Sequence, residues 1–223
     1  MSLISGSAFG QATAVDTAKA DTTVKPKIEA SHQIELGFDM GCLAKNYLVT
    51  DRVGYEFLAS WYHKNEIYWV AEGGWGNSTV AYPDLSYKTN SSFLRLGFDK
   101  MLLGRENLKD WGGMQMGLRL GAAHVSRADA QYTIVDSTWG TTSGAVSGKS
   151  FVPVWAEITA GVRVELIRGI ITGWNIRGKF MLNGKSFNDL SPTYIAGFGQ
   201  GDKNSSFDFN FYLLYALRWN RKQ

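Results

Sequence analysis

The side chains able to do acid–base or ionic chemistry fall on one parity of this chain. Glu35, Asp39, Glu56, Glu72, Asp99, Glu157, Glu165 and Asp208 occupy alternate positions within apolar-flanked stretches, and Arg95, Arg119, Arg163, Arg177, Lys179 and Arg218 share that parity. Two chemistries are open to such a set. A carboxylate pair such as Glu157 and Glu165 could divide general-acid and general-base roles. Carboxylates crowded by guanidinium groups instead form charge-assisted ion pairs, and both partners then stay ionised. With both signs in similar number, the set reads as an ion-pair network.

His124 carries the one alternative with catalytic content. Ser126 and Asp129 follow it, and the parity places its ring loosely on the inward side near the outer end of its stretch. His, Ser and Asp at a rim would suit acyl transfer or hydrolysis. In a Ser-rich segment the same residues also arise as ordinary loop polarity. His32 and His63 fall at stretch ends. With 3 His and 1 Cys, a transition-metal or zinc cluster is excluded on count. Cys42 has no internal disulfide partner, and it follows a strand-like Phe38-Asp39-Met40-Gly41 where a lipid anchor would need an apolar signal core. Gly197-Phe198-Gly199-Gln200-Gly201 has no Lys-Ser/Thr and no helix after it, so it makes no phosphate cradle. No calcium loop is present. No cofactor and no metal are expected.

Something must hold the charged positions on one side. From Val152 to Leu166, every second residue is apolar, and Pro153, Trp155, Glu157, Thr159, Gly161, Arg163 and Glu165 alternate with them. After Arg168-Gly169 the alternation resumes through Leu182. A period of two is a strand signal, because a helix repeats apolar residues three and four apart. The same alternation runs through His32–Gly41, Gly54–Tyr62, Ile67–Gly76, Ser92–Lys100, Trp111–Ser126 and Ser206–Trp219. Cys42–Asp51, Asn77–Ser91, Arg127–Ser150 and Gly184–Ser205 read as polar connections, and they alternate with shorter ones. Eight strands, long and short connections in alternation, and one wholly apolar face predict an all-β fold: an up-and-down, eight-stranded antiparallel transmembrane β-barrel with a polar, filled lumen. Trp61, Tyr62, Trp111 and Trp219 at the inner end, with Trp75 and Phe151 at the outer end, are the expected aromatic girdles.

Composition agrees. Gly is abundant at 25, Pro is scarce at 4 and aromatics reach 13%. A net charge of +3 without a Lys/Arg run gives no nucleic-acid patch. No run of apolar residues is long enough for a transmembrane helix, and alternation keeps the mean hydropathy at −0.17. Residues 1–14 end in Ala12-Thr13-Ala14 and suit a residual signal peptide, or else a disordered small-residue start. Residues 15–31 are a polar, disordered lead-in, and the barrel is expected over 32–223.

Several of these stretches resemble a known group. Phe93-Leu94-Arg95-Leu96-Gly97-Phe98-Asp99, Gly117-Leu118-Arg119-Leu120-Gly121, Trp155-Ala156-Glu157 with Gly161 and Glu165, and Tyr194-Ile195-Ala196-Gly197-Phe198-Gly199 resemble an uncharacterised family of predicted outer-membrane β-barrel proteins from Bacteroidota. The likeness runs from about Gly37 to Trp219. It implies a Gram-negative outer-membrane location and lends no catalytic residues. The expectation is a small non-enzymatic barrel with a plugged lumen. It would act through its outer loops or as a subunit of an envelope complex, with outer-membrane lipid around it and no nucleic-acid partner. Tyr132, Trp139, Tyr194 and Phe198 are the candidate loop contacts, or else they pack the loops onto the barrel mouth. A rim hydrolase or acyltransferase at His124, a narrow channel and a soluble lipocalin-like barrel are the competing readings.

Overall fold

A computed structural model describes residues 32–103, 111–184 and 190–219. The expected signal remnant and lead-in lie outside the described residues. In chain order the elements are β1 (His32–Asp39), α1 (Met40–Leu48), β2 (Arg52–Tyr62), β3 (Ile67–Ala81), β4 (Leu85–Met101), β5 (Gly113–Arg127), β6 (Ala130–Asp136), β7 (Gly140–Val146), β8 (Lys149–Phe151), β9 (Val154–Ile167), β10 (Ile170–Met181), β11 (Tyr194–Ile195), β12 (Gly199–Gln200) and β13 (Ser205–Trp219).

Eight of these strands close on themselves in the order β1-β2-β3-β4-β5-β9-β10-β13, every neighbour antiparallel. The strand ladder has no open seam at mid-height. Asn175, for instance, faces Asn210 on one side and Gly161 on the other. Within the barrel wall the strands follow the alternation, and their two faces are chemically opposite. Leu94, Leu96, Phe98, Met116, Leu118, Leu120, Ile158 and Ile176 all point out, Leu120 with 63% of its surface uncovered. Arg95, Glu72, Arg177 and Lys179 are buried within. A barrel with greasy side chains outside and ions inside is inverted relative to a soluble one. It is stable where hydrocarbon surrounds it, and the fold is a transmembrane barrel. The lipocalin-like reading, which needs the reverse, is overturned by this distribution.

The ends of the barrel differ. Residues 63–66 and 168–169 make tight turns at the end where His32 and Trp219 lie, and the His32 ring stacks on Trp219 at 5.8 Å. The other end carries α1, the β3–β4 tip, β6 to β8, and residues 182–184 and 190–204.

Four expectations need correction here. Cys42–Asp51 is not simply a polar connection: the backbone turns into α1 at Met40. The carboxylate of Asp39 caps it, accepting from the N–H groups of Gly41 (2.7 Å) and Cys42 (3.2 Å). Asn77–Ser91 is not a loop, because β3 and β4 stay in register as far as Ala81 opposite Ser86. Its polar residues signal a hairpin that has left the hydrocarbon. Arg127–Ser150 is likewise mostly strand. β5 continues through a kink at 128–129 into β6, which pairs with β7, while β8 returns along β5. Tyr62 and Trp111 are not girdle residues. Tyr62 is on the inward parity, and Trp111 lies against it edge-on at 5.6 Å, with both nearly fully buried. The Arg218 guanidinium caps Trp111 at 4.7 Å. Trp61, Trp69 and Trp219 are exposed aromatics of that end, as is Tyr215.

Candidate functional site

The lumen is where the titratable groups converge. Cross-strand register does the first sorting: Glu72 on β3 faces Arg95 on β4, Glu157 on β9 faces both Arg119 on β5 and Lys179 on β10, and Arg177 on β10 faces Asp208 on β13. Glu72 is the hub. It meets Arg95 at 2.6 Å, Arg177 at 2.7 Å and Arg119 at 3.1 Å. Glu56 pairs with Arg95 and, at 3.1 Å, with Arg177. Asp99 takes Arg119 at 2.8 Å. Glu157 takes Arg95 at 3.3 Å and accepts the Trp155 indole N–H at 2.6 Å.

Below this layer Glu35 pairs with Arg163 and accepts from the Ser60 hydroxyl at 2.5 Å. Arg163 in turn lies over the Tyr68 ring at 4.6 Å. At the floor Arg218 grips Glu165 with two nitrogens, at 2.7 and 2.9 Å. Among the described residues, six acids and six bases are buried: Glu35, Asp39, Glu56, Glu72, Asp99 and Glu157 with Arg95, Arg119, Arg127, Arg163, Arg177 and Lys179. Arg127 is the member that sequence reading missed. It lies at the outer end of β5 and donates to the Ser147 carbonyl at 2.9 Å.

Glycines make the room. A Cβ on Gly121 would stand 2.7 Å from Trp155 Nε1, so only hydrogen there lets the indole lie flat across the lumen. Between Glu35, Tyr68, Gln115, Arg163 and Tyr212 lies a cavity of about 10 Å³, at the lower limit for a single water.

The outer mouth is closed by residues 190–201. β11 and β12 form a small hairpin whose turn needs positive φ at Gly197 (80°) and Gly199 (115°), where a Cβ is disfavoured. Ile195, Ala196 and Phe198 are buried against Phe93, Val125 and Trp155. The Gly197 carbonyl points down and accepts from Arg95 (3.1 Å) and Lys179 (2.8 Å), tying the lid to the ion pairs. Phe198 is therefore no exposed loop contact. It sits edge-on to Trp155 at 5.6 Å, because burying an aromatic over the mouth removes more apolar area from water than leaving it free. Tyr194 is also largely covered. Arg52 lies over its ring at 5.4 Å, and burial pushes its phenol up.

Of the four loop aromatics, Tyr132 is half-buried, and Trp139 alone stands free, 86% exposed at the β6–β7 tip. Asp136 holds that tip by accepting from the N–H of Thr138 (2.7 Å) and Trp139 (2.9 Å), and these bonds hold its carboxyl below the usual range. Such a carboxylate contributes order that is present above its unfolded pKa and is lost as pH falls through the lowered one. Asp136→Ala is expected to speed hydrogen exchange at the amides of Thr138 and Trp139, with no change in the lumen strands.

His124 does not face the lumen. It is exposed on β5 between buried Ala123 and Val125, opposite Ser92, so its expected inward parity is wrong by one residue. Asp129 is engaged elsewhere, accepting from Gly148 N–H at 2.6 Å. Glu157 and Glu165 lie toward opposite ends of β9, each with its own Arg, which removes them as an acid–base pair. Cys42 is half-buried, its sulfur packed against Gly54. Among the described residues no cluster of three or more His, Cys, Asp or Glu is placed to hold a metal.

A family model described as "Domain of unknown function (DUF6048)" matches residues 1–222. No curated protein matches the chain. Among solved structures, the chain is similar to Ail, the attachment invasion locus protein of Yersinia pestis. In its complex with the heparin analogue sucrose octasulfate, Ail shares 8% identity and superposes with a TM-score of 0.40, over 85% of this chain and 99% of that one. A second Ail structure gives a TM-score of 0.38 at the same identity and coverage.

Proposed function

The chain belongs to the DUF6048 family, and from its architecture we propose that it is a non-enzymatic outer-membrane barrel with a closed lumen, acting through its outer loops on other molecules of the envelope. The observation that carries this reading is the lumen. Its buried acids and bases pair with one another, residues 190–201 pack over the mouth, and the cavity beside Glu35 and Arg163 has room for about one water. Such an interior suits a structural keel better than a solute path or a substrate pocket. The work then falls to the surface. Both ends of the described barrel strands, His32 and Trp219, lie at the short-turn end, which suits termini in the periplasm and long connections outside. Trp139, at the β6–β7 tip that Asp136 ties, has the residue type and exposure of a contact anchor.

Three measurements test the proposal. Purified protein in planar bilayers is expected to give no unitary current, and stable single-channel steps would overturn the closed lumen. In intact cells, a Trp139→Cys thiol is expected to react with a membrane-impermeant maleimide, and a Lys64→Cys thiol only after lysis. The reverse pattern would invert the orientation and remove the outer hairpin from the surface. A benzophenone carried on the same Trp139→Cys thiol should give a discrete crosslinked adduct in those cells. Its absence would count against the loops as the working surface.

A further inference from the structure

The barrel wall is not strand all the way round. β1 stops at Asp39, where it faces Tyr212, and its last partner on β2 is Phe57. β2 continues outward to Arg52 and β13 to Ser205, and both remain paired on their other sides. Between these two strands the outer part of the wall has no β1 ladder, and α1 occupies the gap.

The helix is fastened there by its polar side. Lys45 Nζ meets Asp208 at 2.7 Å, and Asp208 reaches on to buried Lys179 at 3.1 Å. Asn46 exchanges two hydrogen bonds of 2.8 Å with the backbone of Gly54 on β2. Cys42 packs on Gly54, and Gly41 lies close enough to the β13 backbone that an added Cβ would stand 3.3 Å from the Phe211 nitrogen.

The opposite side of α1 is apolar and uncovered. Met40, Ala44, Tyr47 and Leu48 recur at helical spacing on one face, with Tyr47 89% and Leu48 81% exposed. A helix docked on a soluble protein would turn that stripe inward. α1 instead sets Cys42 and Asn46 against the wall and leaves the stripe outside, while Lys45 stays half-exposed in its pair with Asp208. α1 packs on β13 and β2, whose outward residues Phe207, Phe209, Phe211 and Tyr55 are exposed, and Phe209 lies beside Ile176 of the apolar belt.

We propose that α1 is a wall segment seated in the outer leaflet, its Met40–Ala44–Tyr47–Leu48 face covered by lipid acyl chains at the boundary with the headgroups. The amphipathic spacing and the aromatic Tyr47 suit that depth. It deepens the proposed outer-membrane reading, since the occupant of the stripe is the same bilayer that covers the belt.

The test uses the full chain refolded into phosphatidylcholine vesicles, with Cys42→Ala to remove the native thiol and a nitroxide on Tyr47→Cys or, separately, Leu48→Cys. Heat-modifiable gel mobility verifies that each variant is folded. A label on Leu118→Cys reports the belt and one on Trp139→Cys reports water. Both α1 labels are expected to collide with oxygen severalfold more often than with a polar nickel complex, as at Leu118. Collision dominated by the nickel complex would put the stripe in water and overturn the proposal. Protection from both reagents would mean that protein, a second copy or another chain, covers it, and would overturn the proposal equally. A lipid-like pattern at Leu118 with a water-like one on α1 would leave the barrel reading standing and sink only this inference.

Discussion

Glu72→Gln is expected to cost about 3–5 kcal/mol of stability, the range for breaking a buried ion pair by removing one partner. The substitution keeps the size and one acceptor oxygen of the side chain, so packing is nearly unchanged. What it removes is the negative charge that Arg95, Arg119 and Arg177 share at 2.6, 3.1 and 2.7 Å. Guanidinium groups do not shed their protons to relieve the imbalance. Denaturant unfolding from vesicles, followed by gel mobility, reads the loss. Glu165→Gln is the comparison. Its partner Arg218 lies at the floor and keeps contact with water, so about 1 kcal/mol is expected there. Equal costs at the two sites would remove Glu72 as the hub. Adding Arg177→Met to Glu72→Gln is expected to restore part of the loss, because it takes away one of the cations left without a counter-charge.

The alternation of residue types made the barrel legible. A period of two fixes which side chains share a face, so Glu35, Glu72, Arg95, Arg119, Glu157, Arg163 and Arg177 could be put on one side without knowing any distance. Which acid meets which base was not legible, because strand stagger sets the height at which facing residues meet. Glu72 and Arg95 are direct cross-strand neighbours, yet Glu35 and Arg163 come from strands that do not pair. Alternation also fails where both faces turn polar. Above the membrane, β3 and β4 carry Asn, Ser, Thr and Lys on both sides, and this composition reads as loop until the register is seen to continue. α1 escaped for a different reason: Phe38-Asp39-Met40-Gly41 extends the strand pattern, and only the Asp39 cap reverses the backbone. The clue was present as an Asp followed by helix-compatible Leu43, Ala44 and Lys45. Whether Phe198 and Tyr194 are loop contacts or pack onto the mouth was not legible, because a loop that folds back into a mouth has the composition of one that does not. Trp155, by contrast, was readable as an inward residue, and Gly121 opposite it supplies the space.

The apolar belt admits the sharpest test of what surrounds the chain. Leu118 lies mid-strand on β5, flanked by Phe98 on β4 and Ile158 on β9, all pointing outward. In water, Leu118→Arg would be an ordinary surface change, within about half a kcal/mol either way. In hydrocarbon, an outward arginine near the bilayer midplane is expected to cost about 2–4 kcal/mol. The same residue type is accommodated at the neighbouring position, since Arg119 is buried in the lumen with Asp99 and Glu72 for partners. One step along the strand thus separates an arginine with two carboxylate partners from one that would have only the surrounding medium, so its cost at Leu118 reports that medium. Refolding yield into phosphatidylcholine vesicles, with denaturant midpoints for the variant and the parent chain, measures the cost. An unchanged midpoint for Leu118→Arg would mean that water reaches this face and that the barrel stands outside a bilayer. A midpoint lowered there, and changed little by arginine at exposed Thr142 on β7, would mark how far the hydrocarbon extends.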